Sequence, residues 1–274
     1  RDTLNAVAFT AAVLHKQDKD AIFAVLTADH IIRPQEIFAN CLATGFALVE
    51  EDASRFITFG ITPTFPATGY GYVELGDSIH VDARICKRFV EKPDLKTAEE
   101  YISSGNFAWN SGMFIFHAKT FLDALERLQP DSYHGIKKIS EAWGTENQQS
   151  VLEKEYPALP KISVDYGMME PASLDDSISI CTVPMDVEWL DVGSWPSYGD
   201  TLAADENNNR SDTKATHLDS KNMLCVSSDK SHTITTIGCE NLVIVHTNDA
   251  TLVFPESEAQ RVKEIHGLVD PELQ

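Results

Sequence analysis

Four short segments hold side chains whose types could bind a ligand or turn one over. Asp29 stands in Leu26-Thr27-Ala28-Asp29-His30, directly after an apolar run. In open α/β sheets ligands settle beyond the carboxyl ends of the strands, so an acid there suits a metal ion. Asp is equally a good helix cap, and this segment alone does not decide between the two. Residues 82–96 carry five basic side chains (Arg84, Lys87, Arg88, Lys92, Lys96) against three acids (Asp82, Glu91, Asp94). A phosphate group needs such a patch, although lysines along a solvated strand edge give the same composition. Asn110, in Trp109-Asn110-Ser111-Gly112, could meet sugar hydroxyls through both ends of its amide, or mark a plain turn. Asp191 lies between Trp189 and Trp195 and just before Gly193, where backbone can approach a ligand closely. With Asp29 it would make the carboxylate pair that Mg²⁺ prefers; as a bland alternative it satisfies the surroundings of two core tryptophans.

Positioning these groups requires regular elements, and the hydrophobic pattern supplies them. Residues 6–14 read as a helix, 21–26 as a strand, Pro34 to about Val49 as a helix and 56–61 as a strand. That alternation predicts an α/β sheet with parallel strands. Residues 69–75 and 84–91 read as strands around a turn at Gly76-Asp77. A capping box at Thr97–Glu100 is expected to open a helix that Gly105 closes. Residues 112–116 and 177–183 are strand-like, and 119–128 and 136–143 helical. Beyond about Leu202, residues 203–220 are a loop by composition. Four short β-type runs follow (223–226, 233–237, 242–246, 251–254), then a closing helix over 258–268. The boundaries expected are an α/β domain over 1–205 and a β-rich domain over 206–274.

Composition limits the partners. Among 274 residues, 42 Asp and Glu face 22 Lys and Arg, a net charge of −20. Nucleic acids and acidic membranes both demand basic surface, so neither is an expected partner. No apolar run approaches the roughly 18 residues of a membrane helix. Five scattered cysteines without a CxxC spacing fit the reduced thiols of a cytoplasmic protein.

Taken in order, LTADH (26–30), TGYGYVE (68–74), RFVEKPD (88–94), WNSGMFIF (109–116), SVDYGMME (163–170) and WLDVGSW (189–195) resemble the sugar-1-phosphate nucleotidyltransferases, in particular their mannose/GTP branch. The resemblance implies a Rossmann-like three-layer α/β/α domain followed by a small left-handed β-helix-like domain. It implies GTP and mannose 1-phosphate as substrates, Mg²⁺ as cofactor, and a homodimer as a compatible assembly. Asp29 and Asp191 would be the Mg²⁺ ligands, and Lys92 the contact to the sugar phosphate. Glu91 and Asn110 would contact mannose hydroxyls, Gly71 would lie against the sugar, and Asp165 would shape the same pocket. Three departures stand out. The family's glycine-rich signature loop is absent, so the chain is expected to start late relative to the family. Ala67 stands where a Glu usually precedes TGYGY, and Pro171 where a Lys usually follows MME.

Overall fold

A computed structural model of the chain describes residues 2–80, 82–270 and 272. They divide into two compact units, residues 1–28 with 32–189, and residues 29–31 with 190–274. By packing, the compact units divide at Trp189–Leu190. The physical reason is that Trp195, Tyr198 and Leu202 pack on the second unit's core of Leu224, Val226, Val243, Val245 and Phe254.

The first unit is built on a six-stranded sheet in the order β1-β6-β3-β7-β5-β4. Its strands are β1 (Ile22–Val25), β3 (Arg55–Ile61), β4 (Tyr72–His80), β5 (Ala83–Val90), β6 (Phe107–His117) and β7 (Ser179–Met185); β2 (His30–Arg33) and β8 (Glu188–Asp191) pair separately. The sheet is mixed. β3 and β7 run parallel, while β1–β6, β3–β6, β4–β5, β4–β6 and β5–β7 are antiparallel. The parallel sheet expected from helix–strand alternation is corrected accordingly, because alternation reports that helices cover the sheet and not which way each strand enters it.

Period-2 alternation sends side chains to opposite faces. Phe56, Phe114 and Phe116 join one core with Leu4, Ala8, Phe121 and Leu125. Ile57, Phe59, Met113 and Ile115 join another with Leu48, Val49, Ala98 and Tyr101. Helices α1 (Asp2–Gln17), α4 (Ala118–Leu128) and α5 (Pro130–Ala142) cover the first face, and α2 (Gln35–Glu51) and α3 (Leu95–Ser104) the second. A sixth helix, α6 (Gln148–Glu155), follows α5. The three-layer α/β/α arrangement therefore holds. α1 buries Leu4, Val7, Ala8, Ala11 and Ala12, the i, i+3, i+4, i+7 stripe that docks a helix on a sheet.

Several local readings change. Gly76-Asp77 is no turn but lies inside β4, at an irregularity in its pairing with β5. A Cβ at Gly76 would press on Lys87 at 2.9 Å and on the Ile85 carbonyl at 3.0 Å, so glycine is needed for the neighbouring strand to approach. The cap of α3 is Asp94, whose carboxylate accepts the Thr97 N–H at 2.8 Å, while Gly105 closes the helix at φ +68° as expected. Asn110 sits within β6 and not in a turn.

The second unit coils. β9 (Arg210–Ser211), β11 (Leu224–Ser227) and β13 (Leu242–His246) form one parallel ladder, and β10 (Lys214–Leu218) and β12 (Thr233–Ile237) another; β14 (Thr251–Pro255) closes the first ladder antiparallel. Successive strands alternate between ladders, as in a β-helix. Residues 203–220 thus include two strands; β10 alternates exposed and half-buried residues, which is why composition reads it as loop. Asn208, Asn222 and Asn241 occupy equivalent corners at φ +59°, +52° and +56°. Their amides form a ladder, Asn208 donating to Asn222 at 3.0 Å and Asn222 to Asn241 at 2.9 Å. Asparagine tolerates the left-handed region, and each amide here satisfies the next. The expected helix over 258–268 is instead a 3₁₀ stretch (Glu256–Arg261) and one short α turn (Val262–Ile265). Among the described residues no helix is long and apolar enough to cross a membrane.

Candidate functional site

Register explains how distant segments meet in the first unit. Tyr72 of β4 pairs with Val90 on one side and Trp109 on the other, both antiparallel. One step back along β4 therefore faces one step forward along each neighbour, which sets Gly71, Glu91 and Asn110 in a row across three strands. The Asn110 N–H donates to the Gly71 carbonyl at 2.8 Å. A Cβ at Gly71 would displace the Glu91 carboxylate and lie 3.4 Å from the Asn110 Cβ, so glycine lets the carboxylate stay where it stands.

Asn110 is buried and its amide is fixed. Its Oδ1 accepts from the Thr58 hydroxyl at 3.0 Å and from the Gly112 N–H at 3.2 Å, and its Nδ2 donates to Asp165 Oδ1 at 2.9 Å. The expectation that both ends of the amide face a ligand is corrected: the carbonyl end is occupied, and one Nδ2 hydrogen remains to donate. Asp165 opens a π-helical turn (Asp165–Met169), a type of irregularity common at functional sites. Thr58, which orients Asn110, carries no sequence signal; a threonine in a strand reads as a β-former.

Lys92 follows at φ +47°, a left-handed conformation for a non-glycine residue directly before Pro93. Both the Cβ and the following proline disfavour that conformation, and such strain gathers at functional sites. Its Nζ lies 3.3 Å from Glu91 Oε1, with the Glu91 side chain 8% exposed and Lys92 54% exposed. Of the basic stretch, Arg88 turns out to be structural: it pairs with Glu74 at 3.2 Å and stacks over Tyr101 and Phe107.

Burial pushes the Glu91 carboxyl above the ordinary range, the nearby Asp165 charge adds to the rise, and Lys92 opposes it. Asp165 is raised by burial against the hydrogen bond from Asn110. Both groups bind protons more tightly folded than unfolded. They therefore cost stability as pH rises from their ordinary values through the raised ones. Glu91→Gln removes one of the two buried charges and is expected to raise the melting temperature by a few degrees at about pH 7. The gain should vanish in acid, where Glu91 is protonated in both states. A differential scanning calorimetry series over pH checks this; a gain that persists in acid would refute the charge argument.

The second unit holds a different set. Asp29 and Asp191 are joined through backbone, Val192 N–H donating to the Asp29 carbonyl at 3.1 Å. Gly193 N–H donates to Asp191 Oδ1 at 3.0 Å, and a Cβ at Gly193 would sit 2.9 Å from that oxygen. His30 Nε2 lies 3.8 Å from Asp191 Oδ1 and 4.0 Å from Asp29 Oδ1, and one ligand atom from each of the three falls within 4.8 Å of the others. Burial lowers the His30 pKa, while the Asp191 and Asp29 charges oppose the shift. The cap alternative for Asp29 fails, since α2 begins at Gln35 with Pro34 at its cap. Val192, Gly193, Ser194, Trp195 and Lys263 border a cavity of about 520 Å³ in this unit. Two carboxylates and an imidazole make a donor set that fits a divalent ion. The sequence reading leaves His30 without a role, although its place beside Asp29 was the available signal.

A three-layer α/β/α unit with a row of polar residues across its sheet, in a chain that also has an acid pair and a coil of parallel ladders, accords with the plan of a nucleotidyltransferase. The nucleotidyl transferase family model matches residues 1–208, and the chain belongs to that family. A mannose-phosphate isomerase/GMP-like β-helix domain model matches 214–267. The xanthan biosynthesis protein XanB of Xanthomonas campestris pv. campestris is 37% identical over 266 residues, 97% of this chain and 54% of the relative. A mannose-1-phosphate guanylyltransferase of Klebsiella pneumoniae is 37% identical over 268 residues, 96% of this chain and 55% of the relative. The chain thus spans about half the length of these curated relatives. A Thermus thermophilus structure described as a mannose-1-phosphate geranyltransferase superposes with a TM-score of 0.80 at 29% identity, covering 97% of this chain and 74% of that one. Nucleotidyltransferases of this family generally use a divalent metal.

Proposed function

We propose that the protein transfers GMP from GTP to mannose 1-phosphate, giving GDP-mannose and pyrophosphate. The observation that carries this is the convergence of Gly71, Glu91, Lys92, Asn110 and Asp165 on one side of the sheet, with a half-exposed cation beside groups that can hydrogen-bond sugar hydroxyls. The name of the Klebsiella relative supports the choice of sugar and base. In the reaction a phosphate oxygen of mannose 1-phosphate attacks the α-phosphorus of GTP in line. The new oxygen–phosphorus bond forms as the bond to the bridging β-phosphate oxygen breaks, and pyrophosphate leaves with that electron pair. No covalent enzyme intermediate is required, because positioning and charge neutralisation supply the catalysis.

In this reading Lys92 holds the sugar phosphate and orients its attacking oxygen. The Glu91 carboxylate accepts from sugar hydroxyls, the remaining Asn110 Nδ2 hydrogen donates to one, and Asp165 fixes that amide. Gly71 lets the sugar ring approach the strand. Asp29 and Asp191 would hold Mg²⁺, which when bound neutralises charge on the triphosphate. The five cysteines, none of them in a disulfide, accord with a cytoplasmic setting.

The test is a panel of four nucleoside triphosphates against mannose, glucose and fructose phosphates, read as pyrophosphate release. GTP with mannose 1-phosphate is expected to exceed every other pair by at least about tenfold. Preference for another pair would reassign the substrates; sugar-nucleotide binding with no turnover by any pair would make the protein a binding homologue.

A further inference from the structure

We infer that His30 is a third protein ligand in the Asp29–Asp191 site, and that this site consequently holds Mn²⁺ more tightly than Mg²⁺. The inference rests on the reading of the two aspartates as metal ligands and adds to it a nitrogen donor and a preference among ions.

Geometry carries it. His30 Nε2 stands 3.8 Å and 4.0 Å from the nearest oxygens of Asp191 and Asp29. Those separations are too long for hydrogen bonds. They lie within reach of a shared ion: with metal–ligand bonds of about 2.1 Å, neighbouring donors in an octahedron lie ~3 Å apart and opposite ones ~4.2 Å, so at least one carboxylate must close by up to ~1 Å. The ring is also the best-fixed member of the group. Its side chain is 7% exposed, against 60% for Asp29 and 33% for Asp191. Packing has placed an imidazole nitrogen facing both carboxylates, and the more exposed acids can close on an ion with small rotations. Gly193, by donating to Asp191 Oδ1, keeps that carboxylate turned toward the ring.

Chemistry supplies the preference. Mg²⁺ is a hard ion that favours oxygen and gives up water reluctantly. Imidazole suits first-row transition ions, whose affinity for mixed nitrogen–oxygen sites rises along the series beginning with Mn²⁺. A site of carboxylates alone would discriminate less between the two ions.

The test uses Mn²⁺ alone as the probe of the 274-residue chain. Electron spin-echo modulation of bound Mn²⁺ should show ¹⁴N coupling, replaced by the ¹⁵N pattern when the protein is made with ¹⁵N-histidine. Titration followed by competition should give a Kd for Mn²⁺ at least ~10-fold below that for Mg²⁺, and His30→Gln should reduce that ratio to within ~3-fold of unity. Mn²⁺ that binds in an Asp191-dependent manner but shows no histidine nitrogen coupling would overturn the inference and leave the aspartate pair standing. Mn²⁺ binding that ignores Asp191→Asn would overturn both. The spectroscopic reading needs no variant, so it holds even if His30→Gln fails to fold.

Discussion

Asp191→Asn is expected to lower pyrophosphate release from GTP and mannose 1-phosphate by about a thousandfold or more while leaving the fold intact. The two halves of this expectation have separate causes. An asparagine Oδ1 can still accept the Gly193 N–H that now reaches Asp191 at 3.0 Å, so the turn after β8 keeps its hydrogen bond. The negative charge, however, is gone, and with it one of the two carboxylates proposed to hold a divalent ion against the triphosphate. Weakening the hold on an ion that stabilises developing phosphate charge costs orders of magnitude in rate. Steady-state rates over a range of Mg²⁺ and Mn²⁺ concentrations, with melting temperature as the folding control, decide the matter. A variant that kept its rate at low metal would show that Asp191 is not a ligand.

Lys92→Gly is expected to move stability and substrate affinity in opposite directions. Lys92 holds φ +47° immediately before a proline, a conformation that costs a side chain with a Cβ about 1 kcal/mol or more and costs glycine almost nothing. The glycine variant should therefore be more stable, by up to about 1 kcal/mol, and Lys92→Ala should not. Both lose the ammonium group proposed to hold the sugar phosphate. A charge-assisted contact of ~2–3 kcal/mol corresponds to a rise in KM for mannose 1-phosphate of roughly a hundredfold. The lost ion pair with Glu91 involves a half-exposed lysine and contributes little to stability. An unchanged KM in both variants would remove Lys92 from the sugar-phosphate site, whatever the stability result.

The strain at Lys92 also shows where sequence reading stops. The segment Glu91-Lys92-Pro93 is visible as a motif, but nothing in it reveals a left-handed lysine. That conformation follows from β5 ending at Val90 while Asp94 must already cap α3. Asn110 is a similar case. Its polar neighbours make the segment read as a turn, yet 107–117 is one continuous strand because the sheet face supplies Thr58 to satisfy the buried amide. A polar residue in a strand is tolerated when a partner from another element pairs with it, and that partner lies 52 positions away.

Local pattern by itself determined the helices with a clear apolar stripe, such as α1, the apolar strands β1, β3 and β7, the closing glycine of α3 and the short strands of the second unit. These depend on interactions within a few residues, which is why a period or a cap reveals them. Resemblance, carried by the ordered motifs, determined the family and the candidate residues. The tertiary structure alone decided strand direction, the row of Gly71, Glu91 and Asn110, the exclusion of a helix-cap role for Asp29, and the place of His30 beside two acids. Each of these is a relation between segments far apart in the chain. Such relations are fixed by sheet register and by the burial of groups that need partners, and neither is written in the spacing of any single segment.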